Sequence, residues 1–306
     1  SVSPEFWSDI THFEGNANAF RLLTHRFCGR RPGGFVMTYP TLASIVKYPY
    51  SSMLAGKKGK FGFFATEREV YERIADDLGL RRLSAPGEPL RCARHPLVYL
   101  VEAADDICYE IMDIEDAHKL RLLSYEETER LLLGFFAAEE QEHIRQRMVE
   151  EQLDDLNERV VYMRASAIGR LEGECVRAFV DNEGSILAGD FEGSLVEAVS
   201  PAVRYAYRRC AEVSRKRIYR SKPVLDVELS GYKIMATLME QMVDAVLHPD
   251  RYYSRQLIGR VSSQYDIASP DLETRLMAVI DYISGMTDIY ALDVYQKMMG
   301  MALPIV

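Results

Sequence analysis

The 306 residues are 48% hydrophobic and 27% charged, the profile of a globular protein with a true core, in one large domain or two ordinary ones. No run approaches 18 uninterrupted apolar residues, which excludes a transmembrane helix, and the opening Ser1–Trp7 lacks the basic and apolar regions of a signal peptide. The net charge of −9 excludes a general nucleic-acid binder, and five scattered cysteines without a C-x-x-C pair fit a reducing cytoplasm.

Residues 1–66 are the exception to the acidic balance. They hold eight basic and three acidic side chains, a local +5, leaving −14 on the other 240 residues. A solvated basic surface and a local anion site, such as one for phosphates, both fit that segment. Helical periodicity dominates from residue 66 onward. Thr66-Glu-Arg-Glu reads as a capping box opening a helix to about Leu78, with Gly79 as its stop. Pro96 then opens a helix over about 97–115, and Ser124-Tyr-Glu-Glu caps another to about Phe136. The charged stretch Glu139–Arg170 reads as one exposed, salt-bridged helix. Further helices are predicted at 171–182, 195–216, 226–247, 271–284 and 287–299. Strand signals at 35–39 and 61–64 are short and Gly-flanked. The class is all-α. Residues 1–135 form its first part, and a C-terminal helical portion, 136–306, packs on it.

The helix at 97–115 holds the most informative pattern. Leu97, Leu100, Val101, Ala104, Ile107, Cys108, Ile111 and Met112 recur at the 3, 4, 7 spacing and predict one buried face. Asp105 then falls at the margin of that face, with Asp106 toward water. Asp105, Tyr109 and Asp113, spaced i, i+4, i+8, make one stripe. An acid at a core margin must be paired, hydrogen-bonded or bound to a cation. Asp105 therefore reads either as the partner of an arginine or loop, or as a hard ligand for a divalent metal.

Arg94-His-Pro-Leu-Val-Tyr-Leu-Val-Glu-Ala-Ala-Asp-Asp-Ile-Cys-Tyr closely resembles the helix that supplies the last metal ligand in deoxyguanosinetriphosphate triphosphohydrolases, within the HD-domain phosphohydrolase superfamily. Three more segments resemble that family in the same order: His12-Phe-Glu-Gly-Asn-Ala, Leu42 to Lys47-Tyr-Pro, and Gly285-Met-Thr-Asp. Together they span residues 12–291. The resemblance implies an HD-like helical fold and metal-dependent hydrolysis of deoxynucleoside triphosphates (dNTPs) to deoxynucleoside and inorganic triphosphate. Mg²⁺ or Mn²⁺ is the implied cofactor. Asp105 matches the metal ligand, Tyr109 and Asp113 match deoxyribose contacts, and Lys47 and Tyr48 match phosphate and substrate contacts. Lys60 is a further candidate for phosphates, as expected of a basic segment that neutralises a triphosphate.

The family places a metal-binding His and a His-Asp dyad ahead of the Phe-Glu-Gly-Asn-Ala element. Here eleven residues precede His12, and no His-Asp dipeptide occurs. The expectation is a C-terminal two-thirds of a longer enzyme that alone binds metal poorly and hydrolyses nothing at a useful rate. Of the six histidines, only His12 is positioned for a catalytic or substrate-contacting role. Residues 285–290 also fit a plain helix–helix junction, and Ile289 stands where relatives are polar. The basic run Arg215–Arg220 reads as a solvated helix end or a contact for a nucleotide effector or single-stranded DNA. The family implies a homo-oligomer. The rival readings are an HD-family hydrolase of another nucleotide and a non-catalytic nucleotide-sensing or oligomerisation subunit.

Overall fold

The computed structural model describes residues 2–31 and 34–301, and the described residues run through fifteen α-helices in order. The front segment holds α1 (Pro4–Thr11), α2 (Gly15–Thr24), α3 (Tyr39–Ser44) and α4 (Arg68–Asp77). The middle holds α5 (Val98–Lys119), α6 (Tyr125–Leu132), α7 (Ala138–Glu150), α8 (Leu156–Asp181), α9 (Glu183–Ala188), α10 (Leu195–Ala198) and α11 (Pro201–Val213). After a π-helical turn, Ser214–Ile218, come α12 (Lys222–Leu247), α13 (Tyr252–Gly259), α14 (Leu272–Ser284) and α15 (Asp288–Met298). Among the described residues β pairing is confined to isolated bridges, Tyr50–Arg91, Ser51–Phe63 and Arg82–Cys92, so the fold is all-α. Among them, too, no helix is long and apolar enough to cross a membrane.

Local signals that close within one turn formed as predicted. The Ser124 hydroxyl accepts from the Glu127 amide while the Glu127 carboxylate accepts from the Ser124 amide. The helices predicted at 271–284 and 287–299 also form, and Asp271 and Thr287 cap them. Four predicted elements differ, one of them the helix at 171–182, which is the end of α8 and not a separate helix. Thr66 caps nothing: it is drawn to Arg21 and Glu67, and α4 starts two residues later. The single helix over Glu139–Arg170 is two, because Gln152 turns into left-handed φ (55°) and Asp155 caps a new helix through the Asn157 and Glu158 amides. The helix over 195–216 is broken at Pro201, which opens α11 at its first turn.

The largest core runs from Tyr99 to Ile218 and is built on α5 against α8, with α6, α10 and α11 around them. A second joins α12, α13, α14 and α15; a third lies under α2, α3 and α4. The fourth brings the two ends together, packing Phe6, Ala17, Phe61 and Phe64 on Met277 and Ile280 of α14. A buried ionic cluster reinforces that seam. Arg21 forks onto Asp281 with two 2.7 Å bonds, reaches Glu67 at 2.5 Å, and touches Thr66 and His25. Arg21, Glu67 and Asp281 are all buried, a setting in which a bidentate guanidinium replaces lost hydration best.

Candidate functional site

α5 carries the site, and it is rotated from its predicted orientation. The residues it buries are Val98, Tyr99, Ala103, Ile107, Ile111 and Ile114, while Leu97, Leu100, Val101 and Met112 of the predicted face are exposed. Ala104 and Cys108 are exposed with them. The helix is apolar on two sides, and packing on α8 selected a side other than the one periodicity predicts. Two acids exchange roles in consequence. Asp106, expected toward water, is half-buried, and burial raises its carboxyl although the charge of Lys47 partly opposes this. Asp105, expected at a core margin, faces outward with Tyr109, which is 69% exposed. The stripe Asp105–Tyr109–Asp113 therefore lines an open surface.

At its N-terminal end the stripe meets the basic segment. Asp105, Glu102, Val101 and Lys47 line one cavity of about 450 Å³ together with Asn16 and Leu22 of α2. Lys47 Nζ lies 3.1 Å from Glu102 Oε1 and 5.9 Å from the Tyr48 ring centre. Its burial favours loss of the proton, but the Glu102 carboxylate outweighs this and holds the ammonium charged. On the other side of Glu102 sits Arg94, paired to it and stacked on the Tyr99 ring at 4.4 Å. Lys60 Nζ is held 2.6 Å from Glu14 Oε1, and that pairing raises its affinity for its proton. Glu14 also caps α2, accepting from the Asn16 amide at 2.6 Å, so the Phe-Glu-Gly-Asn-Ala segment is the mount for Lys60.

The C-terminal end of the stripe is a phenol–carboxylate pair. Tyr219 donates its hydroxyl to Asp113 Oδ2 at 2.5 Å, and burial together with that carboxylate shifts the phenol upward. Tyr219 was not foreseen as a site residue. It follows 106 residues after Asp113, inside a run that reads as basic surface, and no local pattern joins the two. Within that run Arg217 pairs with Glu127 and Lys216 with Glu212, so half of its four positive charges are neutralised.

His12 is the exposed C-cap of α1; its Nδ1 lies 3.0 Å from the Ser8 carbonyl, and its other hydrogen-bond contact is Thr11. Nothing in those contacts brings it to Lys47, Lys60 or Asp105. The Gly285-Met-Thr-Asp segment is the junction between α14 and α15. A Cβ on Gly285 would stand 3.0 Å from the Asp281 carbonyl and 3.1 Å from the Tyr265 hydroxyl, which accounts for the glycine by close packing. Among the described residues no three His, Cys, Asp or Glu side chains converge as a metal centre, and Asp105 offers a single carboxylate to one.

Residues 198–297, from α10 to α15, match the family described as phosphohydrolase-associated domain. The chain is 35% identical to a deoxyguanosinetriphosphate triphosphohydrolase-like protein of Pseudomonas aeruginosa, over 97% of this chain and 68% of the relative. It is 32% identical to a protein of the same name from Synechocystis, over 99% and 68%. A deoxyguanosinetriphosphate triphosphohydrolase of Yersinia enterocolitica is 25% identical over 95% and 64%. With the all-α architecture and the four motif segments in order, these similarities make the chain a member of the deoxyguanosinetriphosphate triphosphohydrolase-like family of HD-domain phosphohydrolases.

Proposed function

We propose that this protein hydrolyses deoxynucleoside triphosphates to deoxynucleoside and inorganic triphosphate, and that this chain supplies the sugar- and phosphate-binding side of the site. The observation that carries the reading is the α5 stripe. Asp105 shares a cavity with Lys47 at one end, Tyr109 stands exposed in the middle, and Asp113 is paired to Tyr219 at the other. The chemistry of the substrate matches that order. In a dNTP the 5′ oxygen carries the phosphates, C1′ the base and C2′ only hydrogen, so the 3′-hydroxyl is the one free hydroxyl. Asp113, held in place by the Tyr219 phenol, accepts from that hydroxyl, while the Tyr109 ring packs on the sugar where a 2′-hydroxyl would collide. Lys47 and Lys60, each already charged and oriented by a glutamate, neutralise the oxygens of the triphosphate group.

The family resemblance brings a Mg²⁺ or Mn²⁺ ion as cofactor, with Asp105 as one ligand. The donors described in this chain do not by themselves fit such a centre, since no three of them converge. That observation favours a second reading, in which the 306 residues alone bind deoxynucleotides without turnover. A homo-oligomer in the cytoplasm belongs to the same proposal. The exposed apolar half of α12 supports the first, and the odd, scattered cysteine count supports the second.

The test is a panel of dNTPs and ribonucleotides with Mg²⁺ or Mn²⁺, separating inorganic triphosphate from pyrophosphate and orthophosphate. Expected for the full-length protein are triphosphate release and a preference for dNTPs of about 100-fold or more over ribonucleotides. Release of pyrophosphate or orthophosphate, or equal use of ribonucleotides, rejects the first reading. Binding of dNTPs to the 306-residue chain without turnover supports the second.

A further inference from the structure

The helix that precedes Tyr219 does not reach it in α-helical form. α11 ends at Val213 and continues as the π turn Ser214–Ile218. A π turn inserts an extra residue into the helical repeat, so every side chain beyond it points in a different direction from its α-helical one. Such turns need support, and this one is anchored to α5 at its first residue. Ser214 is 1% exposed, and its hydroxyl donates to Glu110 Oε1 at 2.7 Å. Glu110 is the residue after Tyr109 and lies one turn before Asp113 on the same helix. At the other end of the turn Ile218 is buried in the main core, and Arg217 holds the Leu122 carbonyl and Glu127. The outcome is a Tyr219 hydroxyl seated on Asp113.

We infer that Glu110 and Ser214 are positioning residues for the sugar end of the site: their hydrogen bond sets the π turn that delivers Tyr219 to Asp113. The inference rests on the deoxynucleotide reading above for its consequence, recognition of the 3′-hydroxyl, but not for its geometry. Glu110 reaches no substrate atom in this scheme. It acts through Ser214 alone, so what it controls is the discrimination between a sugar with the 3′-hydroxyl and one without it.

The experiment compares kcat/KM for dGTP and 2′,3′-dideoxy-GTP in the full-length protein. Ser214→Ala and Glu110→Ala are expected to lower the preference for dGTP about fivefold, the worth of one hydrogen bond, mainly through KM and in the same sense as Tyr219→Phe. Glu110→Gln keeps an acceptor oxygen for Ser214 and is expected to keep the preference. A loss that falls equally on both nucleotides is a general structural effect and overturns the inference. Hydrogen exchange at the amides of residues 215–219 reads the turn without any turnover. About tenfold faster exchange is expected in both alanine variants and wild-type exchange in Glu110→Gln. Unchanged exchange in the alanine variants overturns the inference even if dNTP hydrolysis is found, whereas faster exchange in a protein that hydrolyses no dNTP rejects only the activity.

Discussion

Asp9 is buried at the junction of α1 with the segment after Phe64, where one carboxylate oxygen accepts from the Ala65 amide at 2.7 Å and the other, with the Ser52 hydroxyl near the carboxylate, makes no hydrogen bond. Burial raises its carboxyl from 3.8 to about 6, with the Ala65 and Ser52 contacts opposing and the charges of Glu5 and Glu67 adding to the rise. The folded state thus keeps a proton that the unfolded chain has already shed, and stability falls as the pH climbs from about 4 through about 6. Asp9→Asn removes that loss while leaving an oxygen for Ala65. The variant is expected to exceed wild type by about 1–2 kcal/mol at pH 7.5 and to match it below pH 4, in urea melts across that range. A difference that stays constant with pH rejects the assignment. The same residue shows what sequence reading misses at this scale. Asp9 in Trp-Ser-Asp-Ile looks like any surface acid, and its partner lies 56 residues away.

At the scale of elements, the legible parts were those whose cause lies within four residues. The Ser124 capping box, the starts of α14 and α15 and Pro96 ahead of α5 needed only local hydrogen bonding or φ. What failed was decided by packing. α5 has two apolar faces, and only the approach of α8 says which is core, so Asp105 and Asp106 were assigned to each other's surroundings. The candidate site was legible as a spacing on one helix, Asp105, Tyr109 and Asp113. Its closure by Tyr219 was not, because the contact depends on a π turn in a distant helix. Gly62 gives an element-level test of the phosphate end. A Cβ there would stand 2.2 Å from the Tyr48 carbonyl oxygen and 2.6 Å from Val46 Cγ1, so nothing larger than hydrogen lets the segment of Lys47 and Tyr48 lie where it does. Gly62→Ala is expected to cost about 1–3 kcal/mol in chemical denaturation and to weaken dNTP binding in calorimetry more than Gly59→Ala does. Gly59, with φ 62°, pays only for its left-handed backbone, as nothing lies near its Cβ position.

Across the whole molecule the middle core and the C-terminal core are linked by α12, and the first half of that helix is apolar with little to cover it. Val227, Leu229 and Tyr232 are 72%, 70% and 78% exposed, and Leu225 and Met235 extend the patch. A helix apolar around most of its circumference belongs inside something larger. Self-association through this segment predicts a multimer by sedimentation that Val227→Asp with Leu229→Asp converts to monomers, with helix content by circular dichroism unchanged. A monomeric wild type, or a multimer indifferent to both charges, rejects it.

The Arg21 cluster has a consequence for how the protein is made. Arg21 and Glu67 are joined by Asp281, which lies 260 residues after Arg21 in the chain. At a synthesis rate of about 5–20 residues per second, the arginine waits about 13–50 seconds for that carboxylate. Throughout that interval the faces of Phe6, Ala17, Phe61 and Phe64 that α14 covers are also bare. The seam around Arg21 is therefore sealed long after its first half is made. A nascent chain in that condition is a client for a holding chaperone, and the emergence of α14 is the event that ends the dependence.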